Sequence, residues 1–307
     1  MRALTSTLLV VGLIVLMVAN PLFARFDSWD SENGVMIRQG HHVFWEGKAM
    51  ATDGNDNWLI AWADGHNGTQ DVYAQHYDSD GNELWPSGGL RITDGPYPEE
   101  MPILAYAGND EWIIGWQDYR LDIQYQGRMT VYAQKYNSRG QALWTDGGVF
   151  IGPDGGNQIE GKSQKPPTIH PTTDGGAICV YESGLNSHDP RYFAQRLSSD
   201  GGLLWGDRGV ALNDRDGRIT ATSDGSDGLF YILSQTGRVG VYNLIVNHLS
   251  SDGEQTWGED LSGLPLEDLD IFGHNPKITV DGDGGAFVCW KQSTPQNAQS
   301  VYGQHIT

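Results

Sequence analysis

One segment recurs four times along the chain, and this repetition constrains the fold more than any other feature. Its copies are Val72–Trp85 (VYAQHYDSDGNELW), Val131–Trp144 (VYAQKYNSRGQALW), Tyr192–Trp205 (YFAQRLSSDGGLLW) and Leu244–Trp257 (LIVNHLSSDGEQTW). Each holds a Gly four residues before its closing Trp, at Gly81, Gly140, Gly201 and Gly253. Three continue with a Gly four residues after it, at Gly89, Gly148 and Gly209. Such a period marks a chain built from one supersecondary unit that buries its apolar face only against neighbouring copies.

A second pattern precedes each copy. Turns rich in Asp and Gly lead into the apolar runs Trp58–Trp62, Trp112–Trp116, Ala177–Tyr181, Leu229–Leu233 and Ala286–Trp290. These runs are short, aromatic and β-branched, which reads as buried strand. Shorter extended segments come before them, at Ala49–Thr52, Pro102–Tyr106, Thr168–Pro171, Arg218–Thr222 and Lys277–Val280. No stretch has helical periodicity, so the chain is expected to be all-β. The unit is then four strands: A (the short segment), B (the apolar run), C (VYAQ and its counterparts) and D (GLRI, GVFI, GVAL). Four strands per repeat, with closing Trp residues 52–61 apart, is the pattern of a propeller blade.

The two ends carry complementary halves of the unit. Trp29–Ile37 (WDSENGVMI) copies the Trp and strand D, whereas Val301–Thr307 is a strand C with neither. Joining the ends gives a Trp spacing of 55 residues, inside the observed range. The expected fold is a five-bladed β-propeller of four-stranded antiparallel blades, closed by the N-terminal strand completing the last blade. Closure of this kind removes free sheet edges. Residues 25–307 would form this single domain, as a monomer. Residues 1–24 read as a signal peptide: Met1-Arg2, the eleven-residue apolar run Leu8–Val18, the break at Asn20-Pro21, and a cleavage site after Ala24. The expected destination is secreted, periplasmic or at the cell surface, with no membrane insertion after cleavage.

Over residues 25–307 the chain resembles secreted bacterial repeat proteins built from DxYAQ…D…G…LW…G units, which look like β-propellers. The resemblance implies architecture and carries no chemistry. Repeats of that group often hold Trp-x-Asp-x-Arg after strand B. Here Trp116-Gln-Asp118-Tyr-Arg120 keeps it, and Trp62-Ala-Asp64-Gly-His66 keeps part of it. The Asp-Gly…Trp turn also resembles the Asp-box of sialidase propellers. That motif places its aromatic three residues after Gly, however, and here it is four.

Charge narrows the partners. With 39 acidic against 19 basic residues the formal net charge is −20, which disfavours nucleic acid. The 2 Cys cannot build a disulfide framework; Cys179 and Cys289 read as two buried small hydrophobes. Asp281-Gly-Asp283 and Asp53-Gly-Asn-Asp56 could meet calcium, yet neither completes an EF-type loop, so no cofactor is expected.

Strands alternate in direction, so the A–B and C–D turns share one face of a blade and the B–C and D–A loops the other. The first set is uniform and explained by turn chemistry. The second varies between copies, and variable loops on a repeated scaffold are where specificity resides. The candidate ligand-binding residues on that face are Trp45, Asp64, His66, Asp118, Tyr119, Arg120, Glu182 and His188. Aromatics beside carboxylates and imidazoles suit a glycan or a protein ligand. Glycoside hydrolysis needs two carboxyls about 5–10 Å apart. The expected inner strands carry no Asp or Glu, and nothing singles out a pair. The reading that follows is an exported, non-catalytic binding or adhesion module. The alternatives are a polysaccharide-active hydrolase or lyase using loop carboxylates, and a structural surface domain.

Overall fold

The structure is a computed structural model that describes residues 37, 43–121, 129–152, 167–182, 192–213, 217–236, 242–257, 264–266, 276–293 and 299–307. The leader expected at 1–24 lies outside them. Among the described residues no helix is long and apolar enough to cross a membrane.

The fold is all-β and consists of antiparallel sheets of three or four strands. Sheet one contains β1 (Val43–Thr52), β2 (Trp58–Asp64), β3 (Asp71–Tyr77) and β4 (Leu90–Arg91). Sheet two contains β5 (Glu99–Gly108), β6 (Glu111–Asp118), β7 (Thr130–Tyr136) and β8 (Val149–Phe150). Sheet three contains β9 (Thr168–Pro171), β10 (Ala177–Glu182), β11 (Tyr192–Leu197) and β12 (Val210–Ala211). Sheet four contains β13 (Gly217–Ser223), β14 (Leu229–Thr236), β15 (Tyr242–Leu249) and β16 (Leu264–Pro265). Sheet five has three strands, β17 (Lys277–Val280), β18 (Ala286–Ser293) and β19 (Gln299–Ile306). Within each sheet the strands pair in chain order, as the repeat requires.

Successive sheets pack face to face. Leu59 and Ala61 of sheet one meet Trp112 and Ile114 of sheet two. Ile113 meets Ala177 and Cys179, Ile178 and Val180 meet Leu229 and Tyr231, and Ile232 meets Val288 and Trp290. The core is therefore a series of inter-sheet layers. The series does not close in the described structure. Phe287 of β18, the counterpart of buried Leu59, is 50% exposed, and Met50 on sheet one is 64% exposed. Cys289 is exposed too, which corrects the expectation of two buried thiols; only Cys179 is buried, and both are free. The difference follows from position, since Cys289 shares the outer face of the last sheet with Phe287.

The repeated segment has a direct physical reading. The Gln of YAQ turns its amide onto the C–D turn, and its Oε1 accepts the backbone N–H of the closing Trp. The distances are 3.0 Å for Gln75–Trp85, 2.9 Å for Gln134–Trp144 and 3.1 Å for Gln195–Trp205. Each Trp then donates its indole N–H to a backbone carbonyl of the following sheet: Trp85 to Ser138 (2.9 Å), Trp144 to Ser199 (2.9 Å) and Trp205 to Ser251 (3.0 Å). One residue thus locks its own turn and ties two sheets together. The Gly four residues later is equally constrained. Gly148 has φ +86°, and a Cβ there would lie 2.7 Å from the Trp116 ring.

Candidate functional site

The B–C end of sheets one and two gathers the buried carboxyl groups. Strand β6 ends at Asp118, which is fully buried. Its Oδ2 accepts from the Trp116 indole (2.9 Å), from Arg120 Nε (2.8 Å) and from Arg120 Nη2 (2.6 Å). Its Oδ1 accepts the Arg120 backbone N–H at 2.8 Å. The guanidinium lies 3.9 Å from the centroid of the Tyr132 ring and donates through Nη1 to Gly147 O (3.1 Å). The Trp-x-Asp-x-Arg sequence is therefore a clamp inside one sheet, fastening the end of strand B to strands C and D. Sheet one repeats it in weaker form. His66 donates its backbone N–H to Asp64 Oδ1 at 2.9 Å, and its ring Nδ1 lies 3.0 Å from the same oxygen. Trp62 stacks on Tyr73 as Trp116 stacks on Tyr132, with ring planes 16° and 17° apart.

The other expected residues fall as follows. Tyr119 donates its hydroxyl to Glu100 Oε1 (2.7 Å) and its backbone N–H to Pro98 O (3.2 Å). Glu182 ends β10, half-buried, opposite Tyr192 in the third sheet. Trp45 belongs to β1, and its side chain, like all of His188, lies outside the described residues. Asp118 meets Arg120 and Asp64 meets His66. Each pair belongs to a single sheet.

Between these two sheets stands a residue the sequence reading missed. Strand β5 begins at Glu99, three residues before the expected start at Pro102, so an inner strand does carry a carboxyl. Its first residues pair Glu99 with Asp118 and Glu100 with Gln117. The register then slips by one residue before Ile103 pairs with Gly115. Met101 sits at this bulge with φ +50°, a conformation that costs on the order of 1 kcal/mol or more for a non-Gly residue. A bulge reverses which face later residues present. Glu99 consequently shares the face of Trp116 and Ile114, which packs on sheet one. Residues directly opposite in an antiparallel pair have Cβ atoms about 4.5–5.5 Å apart, so Glu99 and Asp118 are close neighbours.

Glu99 is fully buried, and neither of its carboxyl oxygens has a hydrogen-bond partner of good geometry. Burial, then the charge of Asp118 across the strand, and to a smaller extent that of Asp71 from sheet one, push its pKa up to about 8. The Thr93 hydroxyl and Arg120 pull the other way but do not win. The backbone N–H of Glu99 donates to Gln70 O at 2.7 Å, which places it beside Asp71. Asp71 is also fully buried and opposite Asp64 in β2. Arg91 Nη2 holds its Oδ2 at 2.9 Å, whereas Oδ1 has no hydrogen-bond partner. Buried polar atoms are almost always satisfied, and strongly perturbed carboxyls cluster at functional sites. At the seam between the two sheets, both oxygens of Glu99 and one of Asp71 lack a hydrogen-bond partner of good geometry.

A cavity of about 290 Å³ adjoins the seam. Residues 92–97, joining the first sheet to the second, form one wall; Trp116, Arg120, Gln134, Tyr136, Ala142 and residues 146–148 form the other. The calcium candidates take a different role. Asp53 and Asp281 accept backbone N–H groups of their own turns, and Asp281 Oδ2 lies 2.7 Å from His305 Nε2. Among the described residues no group of three or more His, Cys, Asp or Glu side chains is arranged to hold a metal.

No protein-family model matches the chain, and no curated protein is significantly similar to it in sequence. Solved structures are similar in fold. A protein of unknown function from Dyadobacter fermentans DSM 18053 matches with a TM-score of 0.50 at 9% identity, over 89% of this chain and 82% of that one. An α-L-arabinanase of Penicillium chrysogenum complexed with arabinobiose matches with a TM-score of 0.43 at 14% identity, over 90% and 79%. A family 117 glycoside hydrolase of Zobellia galactanivorans matches with a TM-score of 0.41 at 9% identity, over 82% and 81%. The expectation of a non-catalytic binding or adhesion module is corrected at this point. The reason for setting catalysis aside, inner strands free of carboxylates, fails at Glu99, which opens the inner strand β5.

Proposed function

We propose that this chain is a polysaccharide-active glycoside hydrolase, exported by the leader at 1–24 and carried on a five-bladed propeller formed by residues 25–307. The observation that carries the reading is Glu99, a fully buried carboxyl opposite Asp118, neither of whose oxygens has a hydrogen-bond partner of good geometry; burial and the Asp118 charge push its pKa up to about 8. A carboxyl that keeps its proton at neutral pH is what a general acid needs. In this mechanism Glu99 gives its proton to the glycosidic oxygen as the bond to the leaving sugar breaks. A water molecule bonds to the anomeric carbon and loses its proton to solvent water. Asp118, locked by Arg120 and Trp116, positions Glu99 and adds to its proton affinity. Trp45, His66, Tyr119, Glu182 and His188 are assigned to the rim that meets the glycan, with Asp64 behind it.

Closure of the ring belongs to the same proposal and has its own support. Sheet five lacks a fourth strand among the described residues, and Val301 and Tyr302 of β19 are 79% and 45% exposed. Gln304 stands where Gln75, Gln134 and Gln195 each receive a Trp amide. Trp29 is the Trp that closure supplies, followed by Val35-Met36 one residue farther on than Leu90-Arg91 lies after Trp85. The exposed faces holding Phe287 and Met50 would then cover one another in a monomer.

Reducing-sugar release from a panel of polysaccharides tests the activity. The wild type should release sugar, and Glu99→Gln should be slower by roughly 10²–10⁴-fold, the usual contribution of a general acid. A wild type that releases nothing from any polysaccharide rejects the hydrolase reading.

A further inference from the structure

We propose that the cavity beside Glu99 holds one neutral sugar residue of the glycan and turns uronates away; the inference rests on the hydrolase reading. At about 290 Å³ the cavity is at the small end of ligand sites, which run from roughly 300 to 1,000 Å³. That is room for a single ring. Tyr97, Trp116 and Tyr136 line it with aromatic surface, against which the apolar face of a sugar packs. Its charge is one-sided. Asp94 and Asp146 are in the lining, and the guanidinium of Arg120, the cation there, is already bound by Asp118 and by the carbonyl of Gly147. A carboxylated sugar would meet like charge with no free cation among the described lining residues to pair with it, and like-charge juxtaposition is strongly unfavourable.

The wall between cavity and acid is one residue thick. Gly95 lines the cavity and also rests against Glu99, where an added Cβ would lie 2.4 Å from Oε1. Both ends of this strap are fastened. The Thr93 hydroxyl accepts the Val72 N–H at 2.9 Å, and Pro98 O accepts the Tyr119 N–H at 3.2 Å. For Glu99 to reach a sugar in the cavity, Gly95 must move between those anchors and off the Thr69 hydroxyl that donates to its carbonyl at 3.5 Å.

The test pairs each of several neutral oligosaccharides with the same compound oxidised to a uronate at its terminal residue. Initial rates are measured for the wild type and for the double variant Asp94→Asn, Asp146→Asn. The wild type should cleave the uronate at least about tenfold more slowly than its neutral partner. The double variant should narrow that ratio by raising the uronate rate. Equal wild-type rates, or a ratio the double variant leaves unchanged, would overturn the proposal. If the wild type cleaves neither compound, the hydrolase reading fails, and tryptophan fluorescence decides the subsite separately. A response to the neutral compound that Tyr97→Ala abolishes upholds the subsite; no response, or one that Tyr97→Ala leaves intact, removes it.

Discussion

The two ends of a sheet in this molecule follow different rules. At the C–D turn end, the copies are alike because the Gln, the closing Trp and the turn residue of the repeated segment have fixed partners. Gln134 receives the Trp144 amide, the Trp144 indole reaches Ser199 O, and the first residue of each turn caps its own backbone. The basic residue after Gln, or after Asn247 in the fourth sheet, pairs with a carboxylate in four copies. Lys135 pairs with Glu111, Arg196 with Asp174 and Asp227, His248 with Asp224 and His305 with Asp281. His76 is the exception, packed edge-on between Trp85 and Trp112, where burial lowers its pKa and favours the neutral ring. At the B–C end of sheets one and two the buried atoms without a partner include carboxyl oxygens, those of Glu99 and one of Asp71. A repeat explains what its copies share. Function is sought where a buried group costs stability and no copy repeats it.

Breaking the satisfied end should have the largest effect. Trp144→Ala removes a buried ring and its bond to the next sheet, and should cost about 3–5 kcal/mol, read as a lower urea midpoint. An unchanged midpoint would contradict the role given to the closing Trp. At the unsatisfied end the sign reverses. Folded Glu99 holds its proton up to about 8, whereas the unfolded chain releases it near 4.5. The folded state therefore binds more protons between those values, and wild-type stability falls as pH rises through them. Glu99→Gln should remove that slope and stabilise the protein at pH 8 by a few kcal/mol while slowing sugar release by roughly 10²–10⁴-fold. Thermal melts of both proteins across that range check it, and a parallel pH dependence in the two would contradict it.

Smaller effects sharpen the same contrast. Gln134→Leu leaves the Trp144 amide and Thr145 carbonyl without their partner, and should cost about 1–3 kcal/mol in chemical denaturation. Arg120→Lys keeps the charge but loses the fork on Asp118 and the stacking on Tyr132. A loss of about 1 kcal/mol is expected, again by denaturation. A larger loss from Arg120→Lys than from Gln134→Leu would invert the ranking.

The sheets were legible in the sequence because their signals are local. Trp112–Trp116 is a buried run, and Gly140 and Trp144 keep their spacing because one turn joins them. Pairing partners and sheet order followed from the repeat. The clamp Trp116–Asp118–Arg120 was visible as a motif, though its geometry is internal to one sheet. Glu99 was not legible, for a specific reason. Extending the strand A alternation back from Ile103 puts Glu99 on one face, and the bulge at Met101 turns it to the other. A one-residue slip with positive φ at Met leaves no mark in composition or period. Cys289 is exposed in the described structure because no described sheet packs on its face, and burial depends on such a neighbour, which the local pattern does not contain.

The protonation of Glu99 is the most direct point of test, since it needs no substrate. A pH-dependent infrared difference between wild type and Glu99→Gln isolates this carboxyl. The account predicts a protonated carboxyl band that persists at neutral pH and is lost with a midpoint near about 8. A band already gone near the ordinary carboxyl value of 4.5 would contradict it.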